Sequence, residues 1–184
     1  MKIKTGDMMP EIKLPAVTGG DFDLSTIKGK KIMLTFYRFA QCPFCNLRIH
    51  ELIKAYDKFG ENFEMVAIFQ APINHLSKTM KRHNAPFTIL ADTKFDYFIE
   101  HSVERSWFKF LKACALRFSR VAKAMSMGFL PTELPHGYLS TIPVDVLIDE
   151  NGTVQRVLYG KDTGDHIPIK DIIEFSIHKS VILT

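Results

Sequence analysis

Two of the three cysteines of this chain are separated by only two residues, where an apolar segment gives way to an amphipathic one. The segment 32–37 has the composition of a buried strand, and apolar side chains recur at helical spacing from Pro43 onward. Cys42 and Cys45 are therefore expected where a strand passes into the first turn of a helix. Such a turn presents unpaired N–H groups and a positive helix end, which stabilise a thiolate.

The position of each cysteine in this turn predicts its role. Cys42 precedes the helix, where the pKa of a thiol can fall from about 8.5 to between about 3.5 and 7.5. Pro43 suits the first turn because it has no N–H to leave unsatisfied. We predict that Cys42 is the nucleophile, that Cys45 is the resolving cysteine, and that the two form a reversible disulfide.

A Cys-x-x-Cys pair is also half of a structural zinc site, and this alternative stays open. Zinc needs two further ligands, whereas Cys114 and the seven histidines are scattered singly along the chain. Cysteines that only pack the core are another alternative. Because the sequence has no glycine-rich phosphate loop and no second ligand pair, we predict no metal, nucleotide or flavin cofactor.

The length and composition favour one domain over residues 1–184, since 46% of the residues are hydrophobic. The N-terminus has no apolar signal-peptide region and no run of about 18 apolar residues follows, so we predict no membrane span and a cytoplasmic location. In a reducing compartment a disulfide of this chain would be transient and catalytic. The net charge of +4 gives no reason to expect nucleic acid as a partner.

The order of the predicted elements favours an α/β fold. The predicted strands span 32–37, 64–70, 87–90, 144–149 and 154–159. The predicted helices span 43–59, 73–83, a stretch from about 95 and a last helix from about 168. Strand, helix and strand at the start form a parallel crossover, and the last two strands enclose a hairpin turn. This is the order of a thioredoxin-like fold, with a central mixed sheet flanked by helices.

Three motifs agree in order and spacing with one known family. They are the opening segment 6–31, the segment 36–47 around Cys-Pro-Phe-Cys, and the segment 142–152. Together they resemble the peroxiredoxin superfamily, of the alkyl hydroperoxide reductase and thiol-specific antioxidant (AhpC/TSA) type, over roughly residues 4–101 and 141–176. The resemblance implies a cis Pro143 beside the dithiol, which makes Pro143 a third predicted catalytic residue. A substrate segment could then pair with this backbone edge as an added strand.

The chain departs from that family at the reacting thiol. The peroxiredoxin sequence at this thiol resembles Pro-x-x-x-Thr-x-x-Cys. Counted back from Cys42, Thr35 stands at the position of the proline and Phe39 at the position of the threonine. The arginine expected late in the domain is also missing, with Pro143 near its place. Arg38 is either its substitute or a solvent-facing arginine at a strand end, and Asn46 is most simply a surface residue. We therefore expect reaction with hydrogen peroxide to be far slower than in peroxiredoxins with the full motif.

The dithiol and the resemblance together predict an enzyme of the oxidoreductase class. The first hypothesis is a thiol-disulfide oxidoreductase that acts on protein or small-molecule disulfides and is itself reduced by a thiol donor. The second is a thiol peroxidase that reduces hydroperoxides, an antioxidant function. The third is a non-catalytic, redox-sensing binding module with a thioredoxin fold. A homodimer is compatible with all three.

Residues 103–137 have no counterpart in the minimal thioredoxin order, and we predict a helical insertion. Six basic residues between Val103 and Gly128 stand against the single acid Glu104, a local excess of +5. Spacings of 1, 3 and 4 predict one apolar stripe, formed by Trp107, Phe108, Leu111, Ala115, Phe118, Ala122 and Met125. The simplest expectation is that the stripe packs on the domain with Cys114 buried in it. Binding to a membrane surface or an acidic partner is the alternative, and the helix could also lie beside the dithiol. Our hypothesis is that the insertion sets partner access or dimerisation and takes no part in the chemistry.

Overall fold

The computed structural model describes residues 1–178, and most of its strands form one mixed sheet. The strands are β1 (Lys13–Pro15), β2 (Asp21–Asp23), β3 (Lys31–Phe36), β4 (Phe63–Phe69), β5 (Thr88–Ala91), β6 (Val144–Ile148) and β7 (Val154–Tyr159). The helices are α1 (Pro43–Lys54), α2 (Ile73–Met80), α3 (Asp96–Glu100), α4 (Trp107–Leu116), α5 (Phe118–Ser126) and α6 (Ile169–Ile177). Helices flank the sheet, so the predicted thioredoxin-like α/β fold is confirmed.

The five-stranded sheet has the order β5-β4-β3-β6-β7, with β3 in the middle. β4 runs parallel to β3 and to β5, as the crossover pattern predicts. β6 is antiparallel to both β3 and β7, and β6 and β7 form the predicted hairpin. All six residues of β3 are buried, which explains why four of them, Ile32, Met33, Leu34 and Phe36, are large and apolar with no alternation of polar residues. β1 and β2 form a separate two-stranded ribbon.

Alternate residues of β3 face two different parts of the core. Met33 belongs to one buried cluster, together with apolar residues of α1 and α6. Ile32, Leu34 and Phe36 belong to a second cluster on the other face, with residues of the N-terminal segment and Phe98 of α3. Because both faces of the sheet are covered, the loop from β3 to α1 is held at the carboxyl edge of a rigid sheet.

The helix predicted over 43–59 is shorter in the structure. α1 ends at Lys54, and only a 3-10 turn at Tyr56–Lys58 follows. The other core elements lie within a few residues of their predicted bounds. α2 ends at Met80 and not at 83, while α6 begins at Ile169.

The insertion contains two helices, and its predicted apolar stripe does not pack on the domain. α4 and α5 are separated by Arg117, whose backbone angles (φ −113°, ψ 28°) are not helical. All seven residues of the predicted stripe are exposed to solvent. Ala113 and Ala124 face inward instead, and Cys114 is half-buried. The expectation of a packed stripe is therefore wrong.

The periodicity identified the apolar side chains but not which side of each helix is buried, and Arg117 divides the predicted segment into two helices. Arg117 Nε donates a hydrogen bond to Asp162 at 3.0 Å, which fixes the corner between α4 and α5. Beyond the corner α5 packs against α1, where Ala124 forms a small buried cluster with Leu47 and Phe129. A methyl side chain lets the two helices approach closely, whereas the large residues of the stripe are left outside.

We expect replacement of the two alanines of α5 by a larger residue to affect the stability of the fold to different extents. Ala124→Leu should lower the free energy of unfolding by about 1–3 kcal/mol, because the added carbons overfill the contact with α1. Ala122→Leu is the matched control on the exposed face and should change it by less than about 0.5 kcal/mol. Urea denaturation of both variants measures the difference. The reverse order would mean that the predicted stripe is buried after all.

Candidate active site

The dithiol lies in the turn that links β3 to α1, as predicted from the sequence. Cys42 is the N-cap of α1, and its sulfur accepts a hydrogen bond from the backbone N–H of Cys45 at 3.4 Å. Pro43 occupies the first helical position, where no N–H is needed. Both cysteines are free thiols, and both are buried.

Arg38 lies directly against Cys42, and it is not a solvent-facing arginine. Its side chain is only 1% exposed, and Nη1 donates to Cys42 Sγ at 3.4 Å. Its guanidinium lies between the rings of Phe39 and Phe110, 5.4 and 5.3 Å from their centroids. Nη2 donates to the carbonyl of Leu139, while Nε has no partner among residues 1–178. The structure thus places one buried positive charge beside the thiol, and its Nε–H is left without an acceptor among these residues.

The surroundings separate the pKa values of the two thiols. Burial alone would raise the pKa of Cys42, but the Cys45 side chain, the Arg38 guanidinium and the N–H groups at the start of α1 lower it to about 6. Burial and the neighbouring Cys42 sulfur raise the pKa of Cys45 well above its usual value. At neutral pH Cys42 is therefore a thiolate and Cys45 a thiol, which is the distribution that a nucleophile and a resolving cysteine require.

Asn46 fixes the loop that carries Cys42, and the expectation of a surface residue is wrong. Asn46 is buried in α1, and its Nδ2 donates to the carbonyls of Ala40 and Cys42 at 2.7 and 2.9 Å. Its Oδ1 accepts from His83 Nε2 at 2.7 Å. Burial lowers the pKa of His83 to about 4, so that the ring is neutral at pH 7. Because this network is neutral, it orients the loop and does not replace the Cys42 thiolate as the ionic partner of Arg38.

The insertion covers the dithiol. Phe110 of α4 stacks on the Arg38 guanidinium, and Ala113 of the same helix belongs to the buried cluster that contains Cys42. Burial raises the pKa of Cys114 on this helix, while Arg38 lowers it and Cys42 raises it further. The insertion, which has no place in the minimal fold, thus supplies one wall of the site.

Pro143 lies at the start of β6, but not in the conformation that the resemblance implied. Its peptide bond is trans, which is the more stable form for most X-Pro bonds. The backbone edge before it is also occupied: Ile142 N–H donates to Glu104 O at 2.9 Å, and Ser106 N–H donates to Ser140 O at 2.8 Å. The chain itself therefore pairs where a substrate strand was expected, and a catalytic role for Pro143 stays a prediction.

A buried Asp145–His166 pair beneath α1 was missed by the sequence reasoning. Asp145 accepts hydrogen bonds from Thr35 Oγ1 at 2.9 Å, from His166 Nδ1 at 3.0 Å and from Ile167 N–H at 2.8 Å. Burial raises the pKa of Asp145, but His166, Arg48 and the Ile167 N–H outweigh it and lower the pKa overall. The signal for this pair in the sequence was a single acidic residue, Asp145, inside the otherwise apolar strand 144–148.

Metal ligands do not cluster in the part of the chain that the structure describes. Among residues 1–178 no three His, Cys, Asp or Glu side chains lie close enough to hold a metal ion together. The functional groups at the end of β3 are the Cys42 thiolate, the Cys45 thiol one helical turn away and the Arg38 guanidinium. A mixed sheet with such a dithiol before α1 defines a thioredoxin-fold thiol protein.

Comparisons with known proteins specify the family. Residues 5–157 match the AhpC/TSA family, and the chain belongs to that family. Peroxiredoxin Bcp from Bacillus subtilis (strain 168) is 31% identical over 94 residues, which are 50% of this chain and 59% of that protein. The match thus spans less than two thirds of the relative's length. The predicted membership in the AhpC/TSA-type family is confirmed.

Solved structures of two kinds share the fold. Peroxidoxin BcpB from Mycobacterium tuberculosis superposes with a TM-score of 0.68 at 19% identity, covering 96% of this chain and 99% of that one. The thioredoxin domain of a thiol-disulfide oxidoreductase from Bacteroides vulgatus superposes with a TM-score of 0.56 at 17% identity, covering 95% and 99%. Because peroxiredoxins and disulfide oxidoreductases both share this fold, the fold alone does not select the reaction.

The pKa of Cys42 can be read from the pH dependence of its alkylation. With iodoacetamide and mass mapping, the rate at Cys42 should rise through an inflection near pH 6, because the thiolate is the reacting form. Arg38→Met should move the inflection upward, since the guanidinium no longer stabilises the thiolate. Faster modification of Cys45 than of Cys42 would contradict the assignment of roles.

Removal of the buried carboxylate should destabilise the fold. Asp145→Ala should cost about 3 kcal/mol of unfolding free energy, because His166 and Thr35 lose their buried partner. Asp171→Ala, which breaks an exposed pair with Arg156, is the control and should cost less than about 1 kcal/mol.

The effect of Asp145→Ala should also depend on pH. A lowered pKa in the folded state means that the contribution of Asp145 is present above the unfolded value of about 3.9 and is lost as the pH falls through the folded value. The difference between wild type and variant should therefore shrink below about pH 4. Denaturation curves at several pH values measure it, and a constant difference would argue against an ionised Asp145.

Proposed function

We propose that the protein is a thiol peroxidase that reduces hydroperoxides, with Cys42 as the peroxidatic and Cys45 as the resolving cysteine. The contact between Arg38 and the Cys42 sulfur carries this proposal. A guanidinium beside a thiolate lowers the thiol pKa and can also hold the oxygens of a peroxide. Arg38 thus takes the place of the family's late arginine, which this sequence lacks.

In the first step the Cys42 thiolate attacks one oxygen of the hydroperoxide. The S–O bond forms while the O–O bond breaks, so that sulfur is oxidised to a sulfenic acid and the leaving alkoxide takes up a proton. The Arg38 Nε–H, which lacks a partner among the described residues, is available to stabilise the negative charge on the departing oxygen.

In the second step Cys45 attacks the Cys42 sulfenic acid. The Cys45 thiol loses its proton, a disulfide forms and water leaves, which gives the predicted Cys42–Cys45 bond. A thiol donor then reduces this disulfide by exchange and restores the dithiol. The Cys-x-x-Cys spacing therefore serves the recycling half of the reaction.

The closed site favours a small oxidant over a protein disulfide. Cys42 is fully buried, Phe110 and Ala113 of the insertion cover it, and Glu104 already occupies the backbone edge at Ile142. A hydroperoxide needs only a narrow approach to the sulfur, whereas a protein disulfide needs an exposed sulfur and a free edge. The named activity of the Bacillus subtilis relative, a peroxiredoxin, points in the same direction.

General thiol-disulfide exchange is the second candidate, and the Cys-x-x-Cys pair at a helix start favours it. In this case the substrate would be a protein or small-molecule disulfide, and Cys42 would attack sulfur instead of oxygen. The two candidates share the same thiols, so only the oxidant distinguishes them.

Stopped-flow oxidation of the reduced protein should separate the two candidates. Hydrogen peroxide and cumene hydroperoxide should oxidise it faster than a small disulfide does, and Cys42→Ser should abolish the reaction. Cys45→Ser should stop at the sulfenic acid, detectable with a sulfenic-acid trap, whereas Cys114→Ser is the control and should still form the Cys42–Cys45 disulfide.

Arg38→Met should slow peroxide reduction by about a hundredfold or more, the usual cost of a lost charge-stabilising donor. Arg38→Lys should recover part of the rate because it retains the positive charge. The peroxidase proposal would be wrong if disulfides oxidise the protein faster than both hydroperoxides, or if Arg38→Met leaves the peroxide rate unchanged. Thiol-disulfide exchange would then be the better-supported function.

A further inference from the structure

Both helices of the insertion expose large apolar side chains that no described residue covers. We call this set the α4–α5 face, and its members are Trp107, Phe108, Leu111, Leu116, Phe118 and Met125. Their exposed fractions lie between 47% and 78%. At about 150–250 Å² for each aromatic side chain, the three aromatic members alone expose roughly 400 Å². Apolar patches of this size on a protein surface mark interaction sites.

The charge around this face has a positive excess. Residues 105–132 include six basic side chains and no acidic one. Acids outside this range pair with four of them: Glu104 with Lys109, Asp162 and Asp165 with Arg117, and Glu51 with Arg120 and Lys123. Six basic side chains against these four acids leave an excess of two positive charges. Among the residues that the structure describes, Lys112 is exposed without an acidic partner. Any surface that meets the α4–α5 face must therefore accept aromatic side chains and positive charge together.

We propose that the α4–α5 face docks the protein on an anionic lipid surface. The helices would lie in the plane of the interface, with the aromatic and aliphatic side chains between the lipid headgroups and the lysines on the phosphates. No helix within residues 1–178 is long and apolar enough to cross a membrane, so the contact is peripheral. Trp107 suits such a boundary because its ring is apolar and its N–H is polar.

Charge complementarity favours lipid over a second copy of this chain. In a symmetric dimer the same patch meets itself, which would bring two surfaces with a positive excess together. An anionic headgroup layer offers the opposite charge and an apolar layer directly beneath it. Lys112 should add about fivefold to the partition coefficient by this attraction. Lys123 should add less, because Glu51 lies 3.9 Å from its ammonium group.

The single tryptophan of the chain lies on the proposed face and reports on the contact directly. Vesicles of phosphatidylglycerol and phosphatidylcholine in equal parts should shift the emission of Trp107 to shorter wavelength and should carry the full-length protein down on sedimentation. Pure phosphatidylcholine vesicles should bind at least tenfold less protein. High salt should weaken binding to the anionic vesicles, because it screens the lysines.

Matched variants test the two components of the contact. Phe118→Ser should weaken binding by about tenfold or more, since a phenyl ring is no longer buried. Lys112→Glu with Lys123→Glu should weaken it by at least about twentyfold, because reversing the charge at position 112 alone removes one attraction and adds one repulsion. The controls are Ile99→Ser, which is 74% exposed on α3, and Lys28→Glu, which is exposed at the other end of β3. Both controls should bind like the wild type, and all variants should keep the wild-type rate with hydrogen peroxide.

Several outcomes would overturn the proposal. One is that anionic vesicles leave the Trp107 emission unchanged at low salt. Another is that the control variants lose binding as strongly as Phe118→Ser. A third is a wild-type dimer by light scattering that Phe118→Ser converts to a monomer, which would assign the face to a second copy. Equal binding to pure phosphatidylcholine would show that the lysines do not contribute to the contact, which would contradict docking on an anionic surface.

Discussion

The contact between the Arg38 guanidinium and the Cys42 sulfur is the interaction on which the site depends. Both groups are almost fully buried, and a buried charge without a partner costs several kcal/mol. The thiolate therefore needs the guanidinium and the N–H groups at the start of α1, while the guanidinium needs the thiolate, the Leu139 carbonyl and two aromatic rings. A low thiol pKa and a closed site are thus two consequences of one arrangement.

The insertion connects this arrangement to the outside of the molecule. On its inner side, Phe110 stacks on Arg38, and Ala113 and Ala124 give α4 and α5 a close fit to the core. On its outer side, the same two helices present large apolar side chains and a surplus of lysine and arginine. Small residues inside and large ones outside reverse the usual pattern of a surface helix, and this reversal is what motivates the proposed docking face.

The Asp145–His166 pair stabilises a different part of the same region. It joins β6 to the loop before α6, with Thr35 of β3 as a third partner. Arg48 of α1 donates to the Ile167 carbonyl at 2.5 Å, so that the helix which carries the dithiol is tied to this loop as well. The chain therefore holds α1 by polar contacts at two places, near Cys42 and near Asp145, in addition to apolar packing on the sheet.

The sequence by itself determined the class of fold and the position of the dithiol, because apolar periodicity, turn residues and the Cys-Pro-Phe-Cys spacing are local signals. It did not determine the surroundings of Arg38, the pairing of the backbone edge at Ile142 or the Asp145–His166 pair, because each depends on residues distant in the chain, such as Leu139, Glu104 and His166. The prediction that the stripe of the insertion packs on the domain was wrong for a related reason. Its 3.6-residue periodicity was real, but the corner at Arg117 is fixed by Asp162, and only tertiary packing decided which side of each helix faced the core.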